Sequence, residues 1–123
     1  MDANTKEITL LFEKWNSALK TCDPDIVASL YHEKAILLPT VSNKVRHNYD
    51  EIKDYFTHFL TKEPQGEINE TNIRIFADMA INSGIYTFSF NDGSSVQARF
   101  TFVYKLIEDE WKIIEHHSSM MPE

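Results

Sequence analysis

The feature that most restricts how this chain can fold is a change of hydrophobic period at Gly66. Before it, apolar residues recur every three or four positions, the spacing of one helix face; after it they alternate, the spacing of one strand face. Ile8, Leu11, Phe12, Trp15 and Leu19 make the first helical stripe, with Asn4 and Glu7 spaced as a capping box. Asp23-Pro24 supplies an N-cap and a first-turn proline, so a short second helix is expected through Ile26, Val27 and Leu30 to Tyr31. Residues 35–39, AILLP, read as a short buried strand, and TVSNKVRHN as a polar connection. A third helix is expected from Asn48, with Glu51 at N3, carrying Ile52, Tyr55, Phe56, Phe59 and Leu60. Lys62-Glu63-Pro64 and Gly66 end it.

Beyond that point four strands are expected. The first, 67–77, puts Ile73, Ile75 and Ala77 on one face, and the second, 80–90, aligns Tyr86, Phe88 and Phe90. Asn91-Asp92-Gly93-Ser94 is a hairpin signal, because such turns demand positive φ. VQARFTFVYKLI then places Ala98, Phe100, Phe102 and Tyr104 opposite Arg99, Thr101 and Val103; Glu108-Asp109-Glu110 turns the chain into WKIIEHHS. Helices followed by antiparallel strands imply an α+β fold, three helices packed on one face of a curved, mainly antiparallel sheet, as a single domain over 1–123.

A net charge of −7 without a Lys/Arg run argues against nucleic acid and anionic membrane as partners. One cysteine, Cys22, excludes an intramolecular disulfide and a cysteine-built zinc site within one chain; the expected role of Cys22 is packing, with a reactive thiol as the alternative. No apolar run approaches the roughly 18 residues of a membrane span, and the N-terminal MDANTKEITLLFEKW lacks the pattern of a leader. A cytoplasmic protein without metal or cofactor is the expectation.

The segments LFEKWNSAL, DPDIVASLY, AILLPTVSN, VRHNYDEIKDYFTHFL and RFTFVYKLIEDEWKIIEHHSSMMP together resemble the association domain of calcium/calmodulin-dependent protein kinase II. Within the nuclear transport factor 2-like superfamily, the chain is similar to free-standing bacterial members of the SnoaL-like, SgcJ/EcaC type. The resemblance implies a cone with a pocket between helices and sheet, and homodimers or larger homo-oligomers joined through the sheet. It does not imply kinase activity, since no glycine-rich nucleotide loop is present. Two departures matter: Phe102 and Ser118 stand where two arginines of the kinase hub pocket align. In addition, Leu38, before Pro39, stands where ketosteroid isomerase-like members carry an acidic base.

Candidate site residues follow from both readings. His116 and His117 are adjacent on a strand, so they point to opposite faces and cannot jointly ligate one metal. One of them is expected to line a pocket, with His117 counted among the ligand-binding residues and either as a candidate proton shuttle; a hydrogen-bonded structural histidine is the equal alternative. Alternation groups His116 with Ser118 and Glu115 with His117, and a bulge would exchange the faces. Arg99 is either an ion-pair partner or a clamp for a small carboxylate. Trp15, Tyr31, Tyr55, Phe59, Tyr86 and Tyr104 offer aromatic walls and hydroxyls, and Asn43 and Arg46 occupy the loop after the first strand. The leading expectation is an oligomerising scaffold or binding module for a small carboxylate or apolar ligand. The alternatives are an isomerase, cyclase or hydratase using a pocket histidine, and a structural oligomer whose cone is filled by its own side chains.

Overall fold

A computed structural model describes residues 4–40 and 42–122. The N-terminal triplet read above for a leader lies outside these, as does Val41 of the polar connection. The elements are α1 (Thr5–Lys20), α2 (Pro24–Ala28), β1 (Tyr31–Leu38), α3 (Tyr49–Phe59), then β2 (Gln65–Phe76), β3 (Met79–Ser89), β4 (Ser95–Ile107) and β5 (Glu110–Met120). They form the expected α+β arrangement, with the helices on one face of a five-stranded sheet of order β1-β5-β4-β3-β2. Among the described residues no helix is long and apolar enough to cross a membrane.

The helix starts are where the capping residues put them. Asn4, Asp23 and Asn48 each accept a backbone N–H of the first turn, satisfying a donor that has no intrahelical partner. The α1 stripe is buried at Ile8, Phe12, Trp15 and Leu19, whereas Leu11 is half-buried. Cys22 does not pack: it is exposed, in a left-handed conformation (φ 56°) that turns the chain after α1. Past Phe59 a single 3-10 turn, Leu60–Lys62, precedes Glu63 in the left-handed region.

Two expected boundaries move. The second helix stops at Ala28, capped by Ser29, and Tyr31 opens β1 instead of closing the helix. The cause is tertiary: Leu30 O accepts the N–H of Ile113, and Tyr31 pairs in parallel with Ile113 on β5. Ala77 is not a strand residue but a left-handed turn residue (φ 55°) between β2 and β3. The remaining hairpins match expectation, with Gly93 at φ 86° and Glu108 and Asp109 both at positive φ.

Bulges bend the sheet. β2 shifts register between Ile68 and Glu70, which brings the Glu70 backbone over Gly84 of β3. β5 shifts between the partners of Val103 and Tyr104, leaving Ile114 without an opposite residue on β4. A bulge adds one residue to one strand and inverts the alternation beyond it. Ile113 and His116 are therefore both buried, three apart, and His117 is exposed.

The inner face carries Ala80, Asn82, Tyr86 and Phe88 of β3 and Ala98, Phe100, Phe102 and Tyr104 of β4, all buried. Trp15 meets Phe102 and Phe88 edge-on, with ring centroids 5.5 and 5.9 Å apart. Asn16, next along α1, clasps the first residues of β2: its amide donates to Gly66 O and its carbonyl accepts the Gly66 N–H, both at 2.9 Å. That clasp satisfies backbone groups on a sheet edge and fixes α1 across the sheet.

Gly84 is the position where any side chain is refused. A Cβ there would lie 2.0 Å from the Glu70 carbonyl oxygen, which is backbone and cannot rotate away. We predict that Gly84→Ala lowers stability by at least the roughly 1–3 kcal/mol of an overpacked core. Equilibrium urea unfolding checks this; a loss no larger than that of Gly93→Ala, where a Cβ meets nothing within 4 Å, would contradict it.

Candidate functional site

His116 is the buried polar centre of the inner face. It is 3% exposed, lies flat on Phe102 with centroids 4.0 Å apart, and meets the edge of Trp15 at 5.5 Å. Both ring nitrogens are hydrogen-bonded. Nδ1 is 2.8 Å from the Tyr31 hydroxyl, and Nε2 is 3.3 Å from the Tyr86 hydroxyl. Behind Tyr31, the Trp15 indole donates to the same hydroxyl at 3.1 Å. Beyond Tyr86, its hydroxyl donates to Ser118 Oγ at 2.6 Å, and Thr40 Oγ1 is 2.5 Å from that oxygen.

The indole N–H can only donate, so it gives this chain a direction. With Tyr31 accepting from Trp15, its own hydrogen has, among the described residues, a buried partner only at His116 Nδ1. The proton of neutral His116 then sits on Nε2 and is donated to Tyr86, whose hydrogen goes to Ser118. Every hydroxyl up to Ser118 is used once as donor, which is what low-dielectric burial demands. Burial pulls the His116 pKa down to about 3, with neighbouring His117 adding to the shift. Burial also raises the hydroxyls of Tyr31 and Tyr86 well above their ordinary value. The environment opposes charge of either sign.

The relay ends at a cavity of about 180 Å³ between α3 and the inner face. Its walls are Trp15, Tyr55, Phe56, Phe59, Phe88 and Phe90, with Leu37, Pro39, Val96 and Ala98. His116, Ser118, Tyr86 and Thr40 supply its polar atoms, and exposed Lys62 marks the outer end, its ammonium 5.7 Å from the Phe90 ring centre. No acidic residue lines it among the described residues, and no three His, Cys, Asp or Glu side chains among them gather as metal ligands.

The candidates sort clearly against this geometry. Trp15, Tyr55, Phe59, Tyr86 and His116 line the cavity; Tyr31 stands behind His116 as its hydrogen-bond partner. Burial raises the Tyr55 hydroxyl to about 12, so that ring is a neutral wall. His117 is exposed on the outer sheet face, in the row Asn72–Ser83–Thr101–His117, because the Ile114 bulge turned its neighbour inward. Arg99 lies one row along on that outer face, between Ile85 and Ser119, and cannot clamp a ligand in the cavity. Tyr104 is buried in the core away from the cavity, its hydroxyl unpartnered. Asn43 is exposed and does not line it.

Arg46 is a fastener rather than a clamp. It pairs with Asp54 at 2.8 Å, donates to Glu51 O, and lies over the Tyr55 ring at 5.7 Å, holding the loop against α3. Its backbone exchanges two 2.9 Å hydrogen bonds with Leu37, covering the free edge of β1. The sequence candidates omitted Ser118, Thr40 and Lys62. Alternation with His116 was the signal for Ser118, whereas Thr40 and Lys62 follow strand and helix ends and carry no periodic signal.

The relay has a pH signature. Unfolded histidine titrates near 6.5 and folded His116 near 3, so between these values the unfolded chain binds one more proton. The stability contributed by neutral His116 is complete above the unfolded value and drains away as pH falls toward 3. The slope is about 1.4 kcal/mol per pH unit, or roughly 2 kcal/mol lost between pH 6.5 and 5. Urea unfolding across pH 7 to 5 should show this slope in the native protein and in His117→Gln, and a clearly shallower one in His116→Gln, where lowered carboxylates such as Glu51 and Asp54 leave a residual slope near pH 5. An equal slope in His116→Gln would contradict it.

The model of the calcium/calmodulin dependent protein kinase II association domain matches residues 4–122. Among solved structures, a protein from Xanthomonas campestris described as such an association domain is 48% identical, with a TM-score of 0.95 over 99% of this chain and 91% of that one. An NTF2-like protein of unknown function from Pseudomonas putida KT2440 is 16% identical, with a TM-score of 0.81 over 93% of this chain and 84% of that one. A Streptomyces avermitilis member of the NTF2-like family, named as a dehydratase, is also 16% identical, with a TM-score of 0.82 over 96% of each chain. The last two likenesses speak to the fold alone. Among curated proteins no significant match was found. The chain belongs to the calcium/calmodulin-dependent protein kinase II association-domain family, built on the nuclear transport factor 2-like fold.

Proposed function

We propose that this chain is a self-associating module that holds one small molecule in the cavity between α3 and the sheet. The observation that carries the reading is the combination of that apolar cavity with a hydrogen-bond relay ending in it. Small residues keep the volume open. Ala98 and Ser118 stand at the inner end, whereas Phe100 and Phe102 follow Ala98 along the same face of β4. Closing about 180 Å³ with packed side chains would be worth on the order of 4 kcal/mol, at about 24 cal/mol per Å³. A chain that forgoes this packing has a use for the space.

Self-association is supported by the family and by the outer sheet face, where half-buried Ile81 and Val103 sit side by side in the row from Arg74 to Glu115, and half-buried Ile85 stands beyond the Ser83–Thr101 pair, next to Arg99. The catalytic alternative takes second place. With both nitrogens engaged and its pKa near 3, His116 is a weak base at neutral pH, and no acid faces it from the described cavity lining. A cytoplasmic setting is part of the proposal.

The reading predicts a homo-oligomer in native mass spectrometry, converted to smaller species by Val103→Arg. It also predicts that a small compound the size of one six-membered ring with one or two substituent atoms, matching the cavity of about 180 Å³, raises the thermal midpoint by several degrees. Val96→Trp, which fills the cavity from its half-buried side, should remove that gain while preserving the fold by circular dichroism. An unchanged response in Val96→Trp would place binding elsewhere.

A further inference from the structure

The inner end of the cavity also restricts what the ligand is, on the reading that a ligand binds there. In the relay, Tyr86 donates to Ser118 Oγ, and a second hydrogen bond joins Ser118 and Thr40. These last two hydroxyls have two hydrogens between them, and their mutual bond uses one. Whichever of the pair donates, one hydroxyl hydrogen remains at this end with no partner in the network, and both residues line the cavity. The site therefore offers a single O–H donor, flanked by hydroxyl lone pairs, on the polar side of an aromatic-walled cavity, from buried Ser118 or half-buried Thr40.

Among the described residues no formal charge balances an anion there. Arg99 is on the outer face, Arg46 is committed to Asp54 and the Glu51 carbonyl behind Tyr55, and Lys62 belongs to the exposed end. His116, the one titratable group at the inner end that could become cationic, is held neutral by the same burial that keeps Tyr31 and Tyr86 protonated. A carboxylate placed beside Ser118 would lose its hydration and gain one neutral hydrogen bond, a poor exchange for a full charge. An uncharged oxygen loses far less water and is satisfied by the one donor available.

The volume sets the size. A cavity of about 150 Å³ lined by apolar side chains accommodates benzene, so about 180 Å³ fits one six-membered ring with one or two further heavy atoms. The walls suit such a ring. Phe56, Phe59, Phe88 and Trp15 present edges and faces in mutually tilted pairs, for example Phe59 and Phe88 at 89°.

We propose that the cavity is selective for an uncharged single-ring molecule carrying one oxygen acceptor, a phenol or an aryl ketone or aldehyde, inserted oxygen-first toward Ser118 and Thr40. The outer end, near Lys62, takes whatever substituent the ring bears on its far side.

The test is titration calorimetry of the intact protein at pH 7 with four probes of similar size: p-cresol, acetophenone, benzoate and toluene. The expected result is that p-cresol and acetophenone bind at least tenfold more tightly than benzoate and severalfold more tightly than toluene. All such binding should be lost in Val96→Trp. In the double variant Thr40→Val with Ser118→Ala, the advantage of p-cresol over toluene should collapse, while toluene affinity holds. The wild-type probe series decides the matter even if the double variant fails to fold. Benzoate binding as tightly as p-cresol, and sensitive to Val96→Trp, would overturn the ligand class and leave the binding module standing. Failure of all four probes, with no small molecule retained in native mass spectrometry, would overturn both.

Discussion

The packing of His116 against Phe102, with a tyrosine hydroxyl at each ring nitrogen, is the interaction on which the site depends. It ties together four elements far apart in sequence: Trp15 from α1, Tyr31 from β1, Tyr86 from β3 and Ser118 from β5. Replacing one buried member strands the others, because a buried donor or acceptor left unmade costs about 1–3 kcal/mol while a satisfied one contributes less. The relay thus specifies one arrangement of helix and sheet more strongly than an all-apolar core would. It also delivers a fixed hydrogen-bond polarity to the cavity. Fold and site share the same atoms.

That arrangement depends in turn on one backbone irregularity. Without the bulge at Ile114, strict alternation from Ile113 would turn Glu115 and His117 inward and His116 out to the face shared with Arg99. A carboxylate would then lie against Phe102, and the cavity would carry an acid. The bulge converts a sequence that looks suited to acid–base chemistry into one whose inner face is neutral. The second bulge, at Asn69, needs Gly84 beneath it and bends β2 where the Glu70 backbone crosses that glycine. Curvature and side-chain choice are two results of the same local device.

Helical stripes, caps and the switch of period at Gly66 were legible in the sequence because they are set by local spacing and local hydrogen bonds. Tyr31 was misread for the same reason: Val27, Leu30 and Tyr31 continue a helical spacing, and only pairing with the distant Ile113 pulls the chain into a strand. The aromatic walls were visible through Trp15, Tyr55, Phe59 and Tyr86. Their polar counterpart was half visible, since alternation joined Ser118 to His116 but could not say which face they occupy. Arg99 was already opposite the aromatic residues of its own strand, and the sheet keeps it there. Arg46 carried no sign that Asp54 and the Tyr55 ring would hold it outside the cavity, because that geometry belongs to a loop and a helix end.

The account centres on a neutral His116 with its proton on Nε2. The most direct measurement is long-range nitrogen–proton NMR of the histidine rings at pH 6, with His116 assigned by comparison with His116→Gln. A neutral ring protonated at Nε2 and bare at Nδ1, unchanged down to pH 5, is the predicted result. A ring protonated on both nitrogens at pH 6, or one carrying its only proton on Nδ1, would contradict the relay and the polarity it gives the cavity.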